Sequence, residues 1–236
     1  MSKFNIDIYA DGASVDGMVE AKDKWPVSGF TTNPSLMKKA GVKDYVNFAQ
    51  DALKAVGGMP VSFEVFGDDF DTMEKEAIKI SSLGKNVFVK IPITNTKGES
   101  SVPLIKKLSA QGIQVNVTAI LTLDQVKEVL PVLKAGSHNI VSVFAGRVAD
   151  TGVDPMPLMK AAVELTNQYD QAWLLWASCR EVLNIFQAES IGVDIITVTN
   201  AVLNKLSMVG KDTKELSLET VQGFHSDVEA LGFSIL

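Results

Sequence analysis

The chain has 236 residues, and its 28 acidic against 22 basic side chains leave a net charge of −6. That balance argues against a general nucleic-acid role, because a phosphate backbone demands a basic surface. Hydrophobic residues at 46% and charged residues at 21% suit a globular protein with a large core, and the length fits one large domain, 1–236, better than two. No uninterrupted apolar run reaches the roughly 18 residues of a membrane-crossing helix, so no membrane partner is expected.

The opening Met1-Ser2-Lys3-Phe4-Asn5 leads into a strand-like run over 5–10 with no signal-peptide h-region. Further strand-like runs follow near 28–31, 61–66, 86–91, 114–118, 139–144, 173–177 and 194–198. Segments of helical period lie between them, among them Asp69–Leu83, Val102–Ala110, Leu123–Lys134 and Pro155–Tyr169. Turn and cap signals punctuate the series: Gly57-Gly58-Met59-Pro60, Thr122 before Leu123, Ala135-Gly136, and Asp154-Pro155 opening a helix. Parallel neighbours need long crossovers, so helices between successive strands imply parallel pairing. Eight such units point to an α/β fold, a single closed (β/α)8 TIM barrel, with an open doubly wound sheet as the alternative. No GxGxxG fingerprint follows the first strand, which speaks against a dinucleotide. The tail over 217–236 carries a further amphipathic pattern. It is expected to be an additional C-terminal helix that covers the barrel or docks on a neighbouring subunit, which makes a homo-oligomer the expectation.

The single cysteine, Cys179, rules out an internal disulfide and fits a reducing cytoplasm. With only His138 and His225 elsewhere, no metal-ligand cluster of familiar spacing exists, and neither metal nor cofactor is expected.

Strand side chains alternate between faces, which splits each strand into two sets. In 86–91 the set Val87, Val89, Ile91 faces the helices and Phe88, Lys90 the interior. The same alternation sets Asp7, Tyr9, Asp11 against Ile6, Ile8, Ala10, and Ser62, Glu64, Phe66 against Val61, Phe63, Val65. One register then places Asp11, Glu64, Lys90, Asn116, Thr118, Ser142 and Ser178 inside the barrel near the C-terminal strand ends, with Phe144, Thr197 and Thr199 in the same sets. Barrel enzymes build their sites there, whereas a core packed only for stability uses Val, Ile and Leu.

Lys90 is the centre of that set. Burial penalises an unpaired ammonium, so an unpaired lysine there is expected in its neutral form, the nucleophile of Schiff-base chemistry on carbonyls. A lysine that snorkels to solvent or pairs with a carboxylate is the structural alternative. Asp11 and Glu64, on other strands, supply the carboxylate pair that proton shuttling requires. Thr118 is placed to position a water, and Asn33 and Asn116 offer neutral donors for hydroxyls. Arg147 and Arg180 follow two late strands, where anion sites recur in barrels, and a guanidinium suits a phosphate-like oxyanion.

Seven segments together resemble the transaldolase family, in its short-chain branch related to fructose-6-phosphate aldolase. They are Tyr9-Ala10-Asp11, Gly29-Phe30-Thr31-Thr32-Asn33-Pro34-Ser35, Ser62-Phe63-Glu64-Val65, Val87-Phe88-Val89-Lys90-Ile91-Pro92, Asn116-Val117-Thr118-Ala119, Ser142-Val143-Phe144-Ala145-Gly146-Arg147 and Ala177-Ser178-Cys179-Arg180. The resemblance implies a barrel without metal, Lys90 as the Schiff-base residue, Asp11 as acid/base at C–C cleavage, and Glu64 with Thr118 handling the catalytic water. It also implies Asn33, Asn116 and Ser142 around the donor hydroxyls, with Arg147, Ser178 and Arg180 around a phosphate. Transfer of a dihydroxyacetone unit between sugar phosphates is the implied activity. The aldolase branch tends to carry Gln at the Glu64 position and Tyr at the Phe144 position, so these two residues favour transfer over release. Val143 and Cys179 depart from the more usual residues there and open the pocket to a modified ketose, including a sulfonated one. A non-catalytic sugar-phosphate sensor and a metal-dependent aldolase are the readings from other classes.

Overall fold

The computed structural model describes residues 4–233 and 235, so Met1, Ser2, Lys3, Ser234 and Leu236 of the opening and tail segments lie outside the described residues. Eight parallel strands close into a barrel in sequence order: β1 (Asp7–Asp11), β2 (Val27–Thr31), β3 (Val61–Glu64), β4 (Val87–Pro92), β5 (Val115–Ile120), β6 (Asn139–Val143), β7 (Ala172–Trp176) and β8 (Ile195–Thr199). β8 returns to pair with β1, Asp7 opposite Ile195 through Asp11 opposite Thr199. The open-sheet alternative is thereby excluded.

The connections are helical. After β1 comes α1 (Val15–Lys24); after β2 come α2 (Pro34–Ala40) and α3 (Tyr45–Val56). Then α4 (Phe70–Ser81), α5 (Val102–Ala110) and α6 (Leu123–Val129) follow β3, β4 and β5. α7 (Ala145–Asp150) and α8 (Met156–Thr166) follow β6, α9 (Leu183–Ser190) follows β7, and α10 (Asn200–Leu203) follows β8. Local chemistry sets their starts. Asn33, Asp44 and Asp69 accept the amides of Leu36, Asn47 and Thr72, and Thr122 with Gln125 makes a reciprocal capping box at α6. The helix expected over 123–134 is shorter than its periodicity, because Pro131 has no N–H and clashes with the preceding turn. A 3₁₀ turn at Leu130–Val132 replaces its last part. The strand expected to reach Phe66 stops at Glu64, so alternation no longer governs Phe66, which is 54% exposed rather than inward.

The barrel interior has two layers. Tyr9, Phe88, Ile140, Leu175, Ala177 and Ile195 fill the lower part, with Phe144 and Trp173 packed against them. Gly29 makes room for this plug: a Cβ there would lie 2.5 Å from the Tyr9 ring. Above the plug the same inward rows turn polar, with Glu64 opposite Lys90 and Lys90 opposite Asn116 across adjacent strands.

The chain divides into two compact units, the barrel through Leu203 and a second from Asn204 onward. The second holds a 3₁₀ segment, Asn204–Met208, and α11 (Thr213–Leu231). Asp212 caps α11 by accepting the amides of Lys214 and Glu215, which moves the helix start ahead of 217, and Gly232 at φ 69° closes it. Leu218, Val221, Phe224, Val228 and Leu231 of α11 are exposed. Among the described residues no helix is long and apolar enough to cross a membrane.

Candidate active site

The polar upper layer opens into a cavity of about 590 Å³ at the C-terminal ends of the strands. Asp11, Asn33, Glu64, Lys90, Asn116, Thr118, Ser142, Phe144, Arg147, Ser178 and Arg180 all line it. Strand pleating carries Asp11, Glu64, Lys90, Asn116, Thr118 and Ser142 there. Phe144 and Ser178 arrive differently, since β6 ends at Val143 and β7 at Trp176, and both stand in the loops beyond.

Lys90 is 8% exposed. Its Nζ donates to the Thr32 carbonyl at 2.5 Å and lies 3.6 Å from Glu64 Oε2. The premise of an unpaired amine is therefore corrected: Lys90 has a carboxylate neighbour, but inside the cleft rather than away from it. Glu64 Oε2 also accepts from Thr32 Oγ1 at 3.2 Å. Burial pushes the Glu64 carboxyl above the ordinary carboxylate range against the pull of the Lys90 charge, and Asp11 is raised for the same leading reason. Both carboxyls are therefore biased toward holding a proton, as groups that exchange protons near neutrality must be.

Asn33 is oriented by its capping role. Its Oδ1 accepts the Leu36 amide at 2.9 Å, which turns Nδ2 toward Asp11, 3.4 Å from each carboxyl oxygen. Asn116 sits in a buried chain, accepting from Ser142 Oγ at 2.6 Å and donating to Ser62 Oγ at 3.0 Å. Glu64 Oε1 and Thr118 Oγ1 are buried without a hydrogen-bond partner. Buried polar atoms are nearly always paired, so two orphans in one cavity mark a place where a polar guest group belongs.

At the rim, Arg147 stands 5.9 Å over the Phe144 ring and has no ion-pair partner among the described residues. Arg180 instead makes a two-pronged contact with Asp150 through Nε and Nη2. Ser178 adopts φ 60°, a left-handed conformation rare outside glycine, beside the closely packed Gly146. A Cβ on Gly146 would lie 1.7 Å from the Ser178 carbonyl oxygen. Gly146→Ala must therefore push the β6 and β7 loops apart. Thermal unfolding should report a loss of about 1–3 kcal/mol, on the scale of overpacking. Burial holds the Cys179 thiol far from thiolate formation, pushed up to about 12. Among the described residues no group of three His, Cys, Asp or Glu is arranged to hold a metal ion.

Sequence reasoning did not single out the groups behind these side chains. Thr31 donates to Asp11 Oδ1 at 2.8 Å, Thr32 holds both Lys90 and Glu64, and Ser62 holds Asn116. Their signal was present, since Thr31 and Thr32 lie within Thr31-Thr32-Asn33-Pro34-Ser35, but a threonine in a strand is ordinary and only proximity gives it a role.

The family model Transaldolase/Fructose-6-phosphate aldolase matches residues 8–235. The chain belongs to this family of enzymes. A relative from Ruegeria sp. (strain TM1040), named "Probable transaldolase", is 34% identical over 97% of this chain and 99% of its own. Another of that name from Erythrobacter litoralis (strain HTCC2594) is 33% identical over 98% of this chain and 100% of its own. A crystal structure from Burkholderia cenocepacia J2315, 14% identical with a TM-score of 0.59 over 90% of this chain and 85% of that one, shares the fold alone.

Proposed function

We propose that this chain is a Schiff-base transaldolase that moves a dihydroxyacetone unit from a ketose phosphate, such as fructose 6-phosphate or sedoheptulose 7-phosphate, to an aldose phosphate. The observation that carries the reading is a buried lysine amine in a barrel-mouth cavity with Asp11 and Glu64 on separate strands around it. Lys90 Nζ adds to the C2 carbonyl, and loss of water from the carbinolamine gives an iminium. Glu64 and Thr118, with their unpaired oxygens, handle that water. Asp11 then takes the proton of the C4 hydroxyl, the C3–C4 bond breaks, its electron pair moves into the iminium to give an enamine, and the shortened aldose phosphate departs. The enamine attacks the incoming aldehyde as Asp11 returns the proton, and water releases the new ketose.

Asn33, Asn116 and Ser142 fix the hydroxyls of the three-carbon unit, and Arg147 with Ser178 and Arg180 takes the anionic end. Phe144 brings no hydroxyl that would protonate and release the enamine, which supports transfer over the fructose-6-phosphate aldolase reaction. The contact with Asp150 removes part of the positive charge of Arg180 from the anion site. That favours, as a second reading, a singly charged sulfonated ketose. The exposed apolar side chains of α11 support a homo-oligomer, and the lone free Cys179 supports a cytoplasmic setting.

Fructose 6-phosphate offered with erythrose 4-phosphate should give sedoheptulose 7-phosphate and no free dihydroxyacetone. Release of dihydroxyacetone without an acceptor would identify the aldolase instead, and turnover of sulfonated ketoses alone the second reading. No product from any of them removes the proposal.

A further inference from the structure

Asp11 is the group on which the proposed cleavage turns, and a pair of threonines stands beside it in the same cavity wall. Thr31 on β2 and Thr197 on β8 belong to the strands on either side of β1. Thr31 Oγ1 lies 2.8 Å from Asp11 Oδ1 and 2.5 Å from Thr197 Oγ1. A hydroxyl has one hydrogen to give, and an ionised carboxylate has none. Thr31 therefore gives its hydrogen to Oδ1, and Thr197 is the donor of the second bond.

The opposite polarity begins with a proton on Oδ1 directed at Thr31, which then donates to Thr197. It leaves the Thr197 hydroxyl hydrogen without a protein acceptor: Thr31 is its only hydrogen-bond partner among the described residues, and Thr197, at the cavity wall, is 6% exposed. That polarity gives up one protein hydrogen bond at a side chain with little exposure, so this arrangement is disfavoured. Oδ2, by contrast, receives only the 3.4 Å contact from Asn33 Nδ2.

We propose that Thr197 is a positioning residue for the proton transfer: by donating to Thr31 it keeps Oδ1 an acceptor throughout and leaves Oδ2 as the oxygen that takes the substrate's proton and returns it. The proposal rests on the transaldolase reading. In the cleavage step the C4 hydroxyl proton goes to Oδ2 while the C3–C4 electron pair enters the iminium. The polarity from Thr197 through Thr31 to Oδ1 is the same before and after, so neither hydroxyl rotates during turnover. Consecutive hydrogen bonds polarise one another, and Thr197 thereby strengthens the donation from Thr31 to the carboxylate. The charged groups that face Asp11 are Lys90 on β4, whose cation favours the carboxylate, and Glu64 on β3, which shares the cavity. The Thr31 and Asn33 donors act in the same direction as Lys90, against burial.

The test is the titration of the Asp11 carboxyl, followed by ¹³C NMR in the full-length protein without substrate. Thr197→Val should raise its midpoint by about half a unit, roughly a threefold gain in proton affinity. In the transfer assay kcat should fall about tenfold with KM within about twofold, and its pH profile should move by the same half unit. Thr197→Ser, which restores the donor, should recover both. Thr197→Ala removes the same donor with less bulk and gives the same reading if the valine variant folds poorly. An Asp11 midpoint unmoved in the donor-less variants, or a serine variant that behaves like them, overturns the proposal. Absence of transfer in the unsubstituted protein overturns the transaldolase reading instead, and the carboxyl titration still decides the role of Thr197.

Discussion

Lys90→Met is expected to abolish transfer, with kcat lower by about four orders of magnitude or more, the scale of loss when the nucleophile of a cooperating group is deleted. Methionine keeps the length of the apolar stem, so the packing above Phe88 survives while the amine is lost. Borohydride added with fructose 6-phosphate should leave a three-carbon adduct on Lys90 of the unsubstituted protein and nothing on the variant. An unmodified Lys90 in protein that is turning over would end the covalent mechanism.

The same substitution carries an electrostatic signature. The Lys90 charge opposes the effect of burial on both Asp11 and Glu64. Without it both carboxyls hold their protons to higher pH. Each binds its proton more tightly folded than unfolded, so its contribution to stability is complete below the ordinary carboxylate range and declines as pH rises through the raised folded value. The Tm of Lys90→Met should therefore fall over a wider span of rising pH than that of the unsubstituted protein, which calorimetry across pH would record.

Asp11→Asn separates bond cleavage from Schiff-base formation. Its transfer rate is expected to drop by about 10²–10⁴, the usual worth of a positioned proton-transfer group. Geometry is retained, because the amide oxygen still accepts from Thr31, which lies 2.8 Å from Oδ1. Borohydride should still trap the ketose on Lys90, now as the uncleaved sugar, and mass spectrometry distinguishes that adduct from the three-carbon one. Transfer retained within tenfold would show that Asp11 does not move the proton.

Much of this arrangement was legible in the chain. Alternation in Val87-Phe88-Val89-Lys90-Ile91 assigns Lys90 to one face, and the same rule applied to Asp11, Glu64, Asn116 and Ser142 brings them to one cavity. The rule fails where strands end. Phe66 was counted inward but lies past Glu64, and Phe144 and Ser178 reach the cavity from loops, where periodicity has no hold. The carboxylate neighbour of Lys90 was also beyond its reach, since the 3.6 Å approach of Glu64 depends on the register between β3 and β4.

The sequence by itself determined the repeating strand–helix order, the strand faces and the lysine among carboxylates, because each follows from local periodicity and residue chemistry. Only the tertiary structure decided that the sheet closes, since β8 pairs with a strand nearly two hundred residues earlier in the chain. It alone decided that Arg180 is shared with Asp150 and that Thr31 joins Asp11 to Thr197. These are contacts between distant segments whose geometry is set by barrel closure, and no local pattern of residues encodes which hydroxyl meets which carboxylate.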